Sequence, residues 1–284
     1  MSNSIFIAGA TGTTASQLLK HLATLGVKVK AGVRDIKKAE TLASEYVAPV
    51  HIDYTLPSSI ENALRGVKQL FMLTPFTDES VTMGKRIVDA AKKAGVQYIV
   101  KLSAAGADAE PGITLGRWHR EVEKYIEASG IPYTHLRPNS FMQNFINFFP
   151  PQNDVIYLPL GEGKVSWVDV RDIAAVAAHV LTHSGHAGKA YTITGPDALS
   201  VTEVSKILSE ATGKTISYTD VPEEAARKTM VEMQMPNWAI DGLLELHAIN
   251  KAGYAAEISN VTRDMTGKDP IDFERFAKDN AARF

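Results

Sequence analysis

The chain has 284 residues, 45% of them hydrophobic and 22% charged, with 30 basic against 32 acidic side chains and a net charge of −2. Such values describe a globular protein and exclude wholesale disorder, and the charge balance excludes a broad electropositive face for nucleic acid. There is no cysteine, so disulfides, thiol catalysis and cysteine-ligated metal centres are ruled out. No apolar run approaches the ~18 residues of a membrane-spanning helix.

The first apolar run, Ile5 to Ala8, reads as a strand rather than a leader, which points to a cytoplasmic protein. A helix is expected over Ser16–Leu25, a strand over Val27–Val33, a helix over Lys37–Tyr46 and a short strand at Val50–Ile52. Ser58 and Glu61 have capping-box spacing for a helix reaching Leu64. Strands at Val67–Leu73, Val96–Leu102 and Tyr133–Leu136 then alternate with helices at Ser80–Ala94 and Leu115–Ala128. Gly26, Gly66, Gly95 and Gly130 stand where left-handed helix ends are expected.

This alternation predicts an α/β fold, a Rossmann-type doubly wound parallel sheet. The rhythm breaks over Asn139–Asp154, returns with a helix at Val170–Leu181 and a strand at Ala190–Thr194, and is mainly helical from Ser200. The expected division is a cofactor domain over 1–138, with 165–195 returning to it, and a smaller, mainly helical substrate lobe over 139–164 and 196–284.

Between the first strand and first helix lies Gly9-Ala10-Thr11-Gly12-Thr13-Thr14-Ala15. Gly9 permits the tight turn, Gly12 lets the backbone approach a pyrophosphate, and Ala15 allows close helix packing. The helix N-terminus offers unpaired N–H groups to phosphate. Gly9, Thr11, Gly12, Thr13 and Thr14 are therefore expected to bind a dinucleotide. The second strand ends at Gly32-Val33-Arg34-Asp35, followed by Lys37 and Lys38. Arg34, helped by Lys38, suits the 2′-phosphate of NADP(H), whereas Asp35 would suit the ribose of NAD(H). NADP(H) is the expected cofactor, with NAD(H) the alternative. Ligands of open parallel sheets sit at the strands' carboxyl ends, which nominates Leu73, Thr74, Pro75, Ser103, Pro138, Asn139 and Ser140.

With these motifs in place, the chain resembles the NmrA-like branch of the atypical short-chain dehydrogenase/reductases. The likeness rests on the glycine turn, Arg34, Asp53-Tyr54, Gly130-Ile131-Pro132-Tyr133-Thr134, Val168-Asp169-Val170-Arg171-Asp172-Ile173-Ala174, Gly195-Pro196 and Phe273–Phe276. It brings Asp53 into the cofactor-binding set and makes Pro138–Phe141 resemble a nicotinamide platform. Most short-chain dehydrogenases carry a Tyr-xxx-Lys pair, yet none of the nine tyrosines here has lysine four residues on. The family's lysine position falls on His119 and its tyrosine position on Leu115.

The resemblance therefore implies an NADPH-dependent reductase of electrophilic quinone, iminium or dye-like molecules, which need little proton assistance. A non-catalytic dinucleotide-sensing protein is the alternative, and an isomerase using the cofactor transiently a third. His119 is the catalytic candidate, as a ribose contact or as a proton donor near neutral pH. Phe76, Trp118, Phe141, Met230, Met233 and Trp238 are expected either to line an apolar substrate pocket between the lobes or to be plain core. His179, His183 and His186 end an apolar helix and suit its dipole, so no metal is expected. Expected partners are a small-molecule substrate and, for a monomer or homodimer, a second copy, with neither nucleic acid nor membrane.

Overall fold

The structure, a computed structural model, describes residues 5–284 apart from the side chains of Lys38 and Glu40. Its first half comprises β1 (Ile5–Ile7), α1 (Thr13–Thr24), β2 (Val29–Val33), β3 (Val47–His51), α2 (Pro57–Ala63), β4 (Gln69–Met72), α3 (Ser80–Ala94), β5 (Tyr98–Leu102), α4 (Thr114–Ser129) and β6 (Tyr133–Pro138). It continues with α5 (Asn144–Asn147), β7 (Val155–Leu158), α6 (Val170–Thr182), β8 (Lys189–Ile193), α7 (Val201–Thr212), β9 (Ser217–Asp220), α8 (Glu223–Glu232), α9 (Asn237–Lys251), α10 (Val261–Thr266) and α11 (Phe273–Asp279).

Seven strands form a sheet in the order β3-β2-β1-β4-β5-β6-β8. Strands β1 to β6 are joined by parallel pairings. The order reverses between β1 and β4, which makes the carboxyl ends there the place for a ligand. The strands are apolar because helices cover both faces of such a sheet: β1 is buried throughout, and Leu70, Phe71 and Met72 of β4 are fully enclosed. Gly26, Gly66, Gly95 and Gly130 all adopt positive φ, as expected of helix ends.

The chain divides into two units. One comprises the chain as far as Asp108, with Gly116–Arg137 and Ile173–Tyr191. Its core includes Phe6, Ile60, Leu64, Leu70, Ile99 and Ile126. The other comprises Ala109–Leu115, Pro138–Asp172 and Thr192–Phe284, with Phe145, Trp167, Leu208 and Phe273 in its core. It also contains a parallel strand pair, β7 with β9, that the sequence did not announce.

Two local expectations are corrected. The helix expected over Lys37–Tyr46 is a short 3₁₀ segment, Lys37–Leu42, and β3 begins at Val47. The Ser58–Glu61 capping box does not form: Pro57 occupies the first turn, and the cap falls on Leu56 without a side-chain bond. Ser59 instead accepts the Asp53 N–H at 2.9 Å.

Gly195 in the second unit lies against backbone, since a Cβ there would stand 1.9 Å from the Trp167 carbonyl oxygen. Backbone cannot move aside as a flexible side chain would. Gly195→Ala should therefore cost about 2 kcal/mol or more, seen as a lower urea midpoint at unchanged slope.

Candidate functional site

At the carboxyl end of β1 the chain turns through Gly9 at φ +60°. The fit is close: a Cβ on Gly9 would lie 2.7 Å from Leu73 Cδ1, and one on Gly12 would lie 3.1 Å from the Gly9 oxygen. Gly12 donates to that oxygen at 2.8 Å and is itself the N-cap of α1. A glycine cap has no side chain to offer, so no side-chain oxygen takes up the first-turn N–H groups of α1. Thr11 and Thr13 are exposed on the turn, whereas Thr14 is buried. The Tyr54 hydroxyl is buried beside Gly9 without a hydrogen-bond partner of good geometry, and burial raises its pKa to about 12. A helix start without a side-chain cap, a tight turn at Gly9 and Gly12 and a neutral buried phenol beside it fit the phosphates of a dinucleotide.

Arg34 follows β2 and is exposed. Asp35 Oδ1 accepts the Lys37 N–H at 3.0 Å, so this carboxylate starts the 3₁₀ turn. The Lys38 side chain lies outside the described residues. Asp53 Oδ1 accepts from both the backbone and hydroxyl of Thr55, and those bonds, with the nearby charge of Arg34, lower its pKa. Leu73, Thr74 and Pro75 are half-buried after β4, and Phe76 is 55% exposed.

Beneath the carboxyl ends of β5 and β6 lies a buried polar network. Glu123 of α4 is fully enclosed and receives Arg137 as a fork, Nε to Oε1 at 3.0 Å and Nη2 to Oε2 at 2.7 Å. Burial, the largest single influence, raises the Glu123 pKa, but the hydrogen bonds from Arg137, together with Ser103 and the nearby His135 and Arg137 charges, outweigh it and bring the pKa down to about 2. Arg137 also donates to Asp108, and Arg120 bonds both Glu123 and Glu127. His135 is buried, which lowers its pKa to about 4, and its Nε2 lies 3.3 Å from Glu127. The Ser103 hydroxyl is buried near Glu123 without a hydrogen bond of good geometry. Glu123, Glu127 and His135 have the spacing of metal ligands, but their carboxylates are taken by guanidinium groups.

Lys101 of β5 is also fully buried, its Nζ 3.0 Å from the Leu102 carbonyl and 3.0 Å from His119 Nδ1. Burial lowers the Lys101 pKa to about 7. Burial, with the Lys101 charge, lowers that of His119 to about 3. With its pKa lowered that far, the imidazole is neutral near pH 7, so a proton donated there would not come from its own titration. His119 is half-buried. Lys101 and Glu123 went unremarked in the sequence, although a lysine inside Tyr98-Ile99-Val100-Lys101-Leu102, where every neighbour is strand-like, was the available signal.

Pro138, Asn139, Ser140 and Phe141 belong to the second unit. There Asn139 Nδ2 donates to Ser166 Oγ at 2.7 Å and to the Ala255 carbonyl at 2.8 Å, while its Oδ1 accepts the Ser140 N–H. Trp118, Phe141, Met230 and Trp238 are half-buried, and Met233 is 59% exposed. The His179 and His183 rings stack at 4.1 Å, and His186 Nδ1 pairs with Tyr191 Oη at 2.9 Å.

Sheet order and glycine turn together define a Rossmann-type α/β protein. The chain belongs to the NmrA-like family, which it matches over residues 1–272. It is 38% identical to an NAD(P)H azoreductase of Xenophilus azovorans over 99% of both chains. Among solved structures it is similar to the NADPH-dependent quinone oxidoreductase of Escherichia coli complexed with NADPH, with a TM-score of 0.87 and 27% identity over 97% of this chain and 99% of that one. It is also similar to the triphenylmethane reductase of Citrobacter sp. complexed with NADP(H), with a TM-score of 0.85 and 27% identity over 98% and 99% of the two chains.

Glu123→Gln should cost about 3–5 kcal/mol in urea unfolding, because Arg137 then loses its buried anion. Since the folded pKa of Glu123 lies below its ordinary 4.5, its contribution is complete above about 4.5 and is lost as pH falls towards about 2. The variant should accordingly show a flatter acid limb than the parent protein.

Proposed function

We propose that the chain is an NADPH-dependent reductase of electrophilic conjugated or aromatic small molecules, such as quinones, iminium ions, azo compounds or cationic dyes, working without a Tyr-xxx-Lys pair. The observation that carries this reading is the glycine turn after β1, where Gly12 starts α1 without a side-chain cap and Gly9 packs closely against Leu73. The azoreductase, quinone reductase and dye reductase likenesses support the class of acceptor.

Gly9, Gly12 and the first-turn N–H groups of Thr13 and Thr14 hold the pyrophosphate. Arg34, exposed and beside Asp53, pairs with the 2′-phosphate through its guanidinium fork. Asp35, engaged by the Lys37 N–H, is directed to its own turn, which favours NADPH over NADH. When bound, the dihydronicotinamide supplies hydride, and the protein's share is to orient it and to keep competing water away. An acceptor such as a cationic dye is neutralised by hydride alone, so the missing tyrosine is no obstacle. Quinones and azo compounds also take up a proton.

Purified protein should oxidise NADPH in the presence of a quinone, an azo dye and a cationic triarylmethane dye. Tight NADPH binding without turnover of any of them would instead leave a dinucleotide sensor. Arg34→Ala should weaken NADPH binding about tenfold or more, the scale of a lost charged hydrogen bond, and leave NADH binding little altered in fluorescence titrations. Equal weakening of both would remove Arg34 from the 2′-phosphate.

A further inference from the structure

Lys101 is a side chain that the glycine turn and the sheet do not require. It sits in the middle of the sheet, paired in register with Met72 of β4 and His135 of β6, and none of it is exposed. An ammonium so placed is costly unless its donors are satisfied. Its bonds run to a carbonyl oxygen, which cannot carry a proton onward, and to the imidazole of His119.

The chemistry of that second bond is directional. An ammonium has only donors, so Nδ1 of His119 must be the acceptor, and the ring proton of the neutral imidazole resides on Nε2. His119 is half-buried while Lys101 is wholly enclosed. His119 is thus the one of the two with some surface exposed.

The charges around Lys101 are consistent with a group that gains and loses its proton in the neutral range. Glu123 of α4 favours the charged form, Arg137 of β6 opposes it, and burial opposes it most, which brings the amine to about 7. His135, the remaining titratable neighbour on β6, is held neutral by its own burial. From β4 the partner in register is the uncharged Met72.

We propose that Lys101 and His119 form a proton store and its outlet, in which a proton leaving His119 Nε2 for a reduced, anionic acceptor is replaced at Nδ1 from Lys101 Nζ. The idea rests on the reductase reading above, which supplies the hydride. The acceptor takes up hydride, two electrons and one proton, and becomes an anion. The anion takes the Nε2 proton. His119 remains neutral with its proton now on Nδ1, Lys101 becomes a neutral amine, and water restores the lost proton through the imidazole. His119 is then the group that meets the acceptor, and Lys101 a positioning residue acting through it.

Two acceptors separate this role from a merely structural one, because a quinone needs a proton and a cationic triarylmethane dye does not. Rates with both are compared for the parent protein, Lys101→Met and His119→Gln, the second variant keeping an oxygen for Nζ but having no relay. In each variant the quinone rate should fall about a hundredfold or more relative to the dye rate, the usual range for lost proton transfer. In the parent protein the quinone rate should decline as pH rises through about 7, where Lys101 loses its proton, while the dye rate should not follow that step.

Nitrogen-15 NMR of labelled histidine in the cofactor-free protein is the second readout. It should show His119 as the Nε2–H tautomer, and in Lys101→Met the His119 pKa should rise. Equal slowing with both acceptors, a parent quinone profile without the step near 7, or an Nδ1–H tautomer would each overturn the relay. Failure to turn over any acceptor would overturn the reductase reading and the relay with it, while the NMR would still decide whether Lys101 holds His119 in that tautomer.

Discussion

The enclosed fork between Glu123 and Arg137 is the constraint on which the rest of this unit depends. It ties α4 to β6 at a depth where Glu123 is wholly enclosed and Arg137 nearly so, so the carboxylate has little but the guanidinium to compensate it. His119 lies four residues before Glu123 on the same helix face, and the fork therefore also fixes where that imidazole stands. Lys101 and His135 on the adjacent strands complete the network, and the Glu123 charge favours the protonated form of both. Arg120 and Glu127 close its outer side. Networks of this kind have little tolerance for partial satisfaction.

The network also accounts for how a chain with few reactive side chains can still manage protons. Without cysteine, and with no tyrosine followed by lysine four residues on, the sequence lacks a thiol nucleophile and the usual Tyr-xxx-Lys proton donor. Burial supplies what residue type does not. It brings a lysine amine into the neutral range and leaves a histidine neutral, with its donor and acceptor ends fixed. The glycine turn works by the opposite principle, since it is useful for the side chains it lacks: a Cβ on Gly9 would meet Leu73, one on Gly12 would meet the Gly9 oxygen, and the start of α1 carries no side-chain cap.

Legibility in the sequence followed how local each feature was. The alternating elements, the positive-φ glycines after helices and the turn between β1 and α1 were all readable, because each depends on residues within about ten positions of one another. Identical local signals could still mislead. Ser58-xx-Glu61 and Ser200-xx-Glu203 have the same spacing, yet only the second forms a capping box, because Pro57 already holds the first turn of α2. Strand β9 was missed because Ser217-Tyr218-Thr219-Asp220 is mostly exposed and acquires its strand conformation from pairing with β7.

By itself the sequence determined a parallel α/β sheet and a dinucleotide turn, since period, glycine placement and strand-turn-helix order are local consequences of backbone sterics and hydrogen bonding. Tertiary structure alone decided that Lys101, His119, Glu123 and Arg137 would meet. They come from two strands and a helix spread over 37 positions, and apart from His119 and Glu123, one turn apart on α4, no spacing marks them as neighbours. Their altered acidities arise only once the fold removes water from around them, because a pKa shift records the surroundings of a group and not its identity.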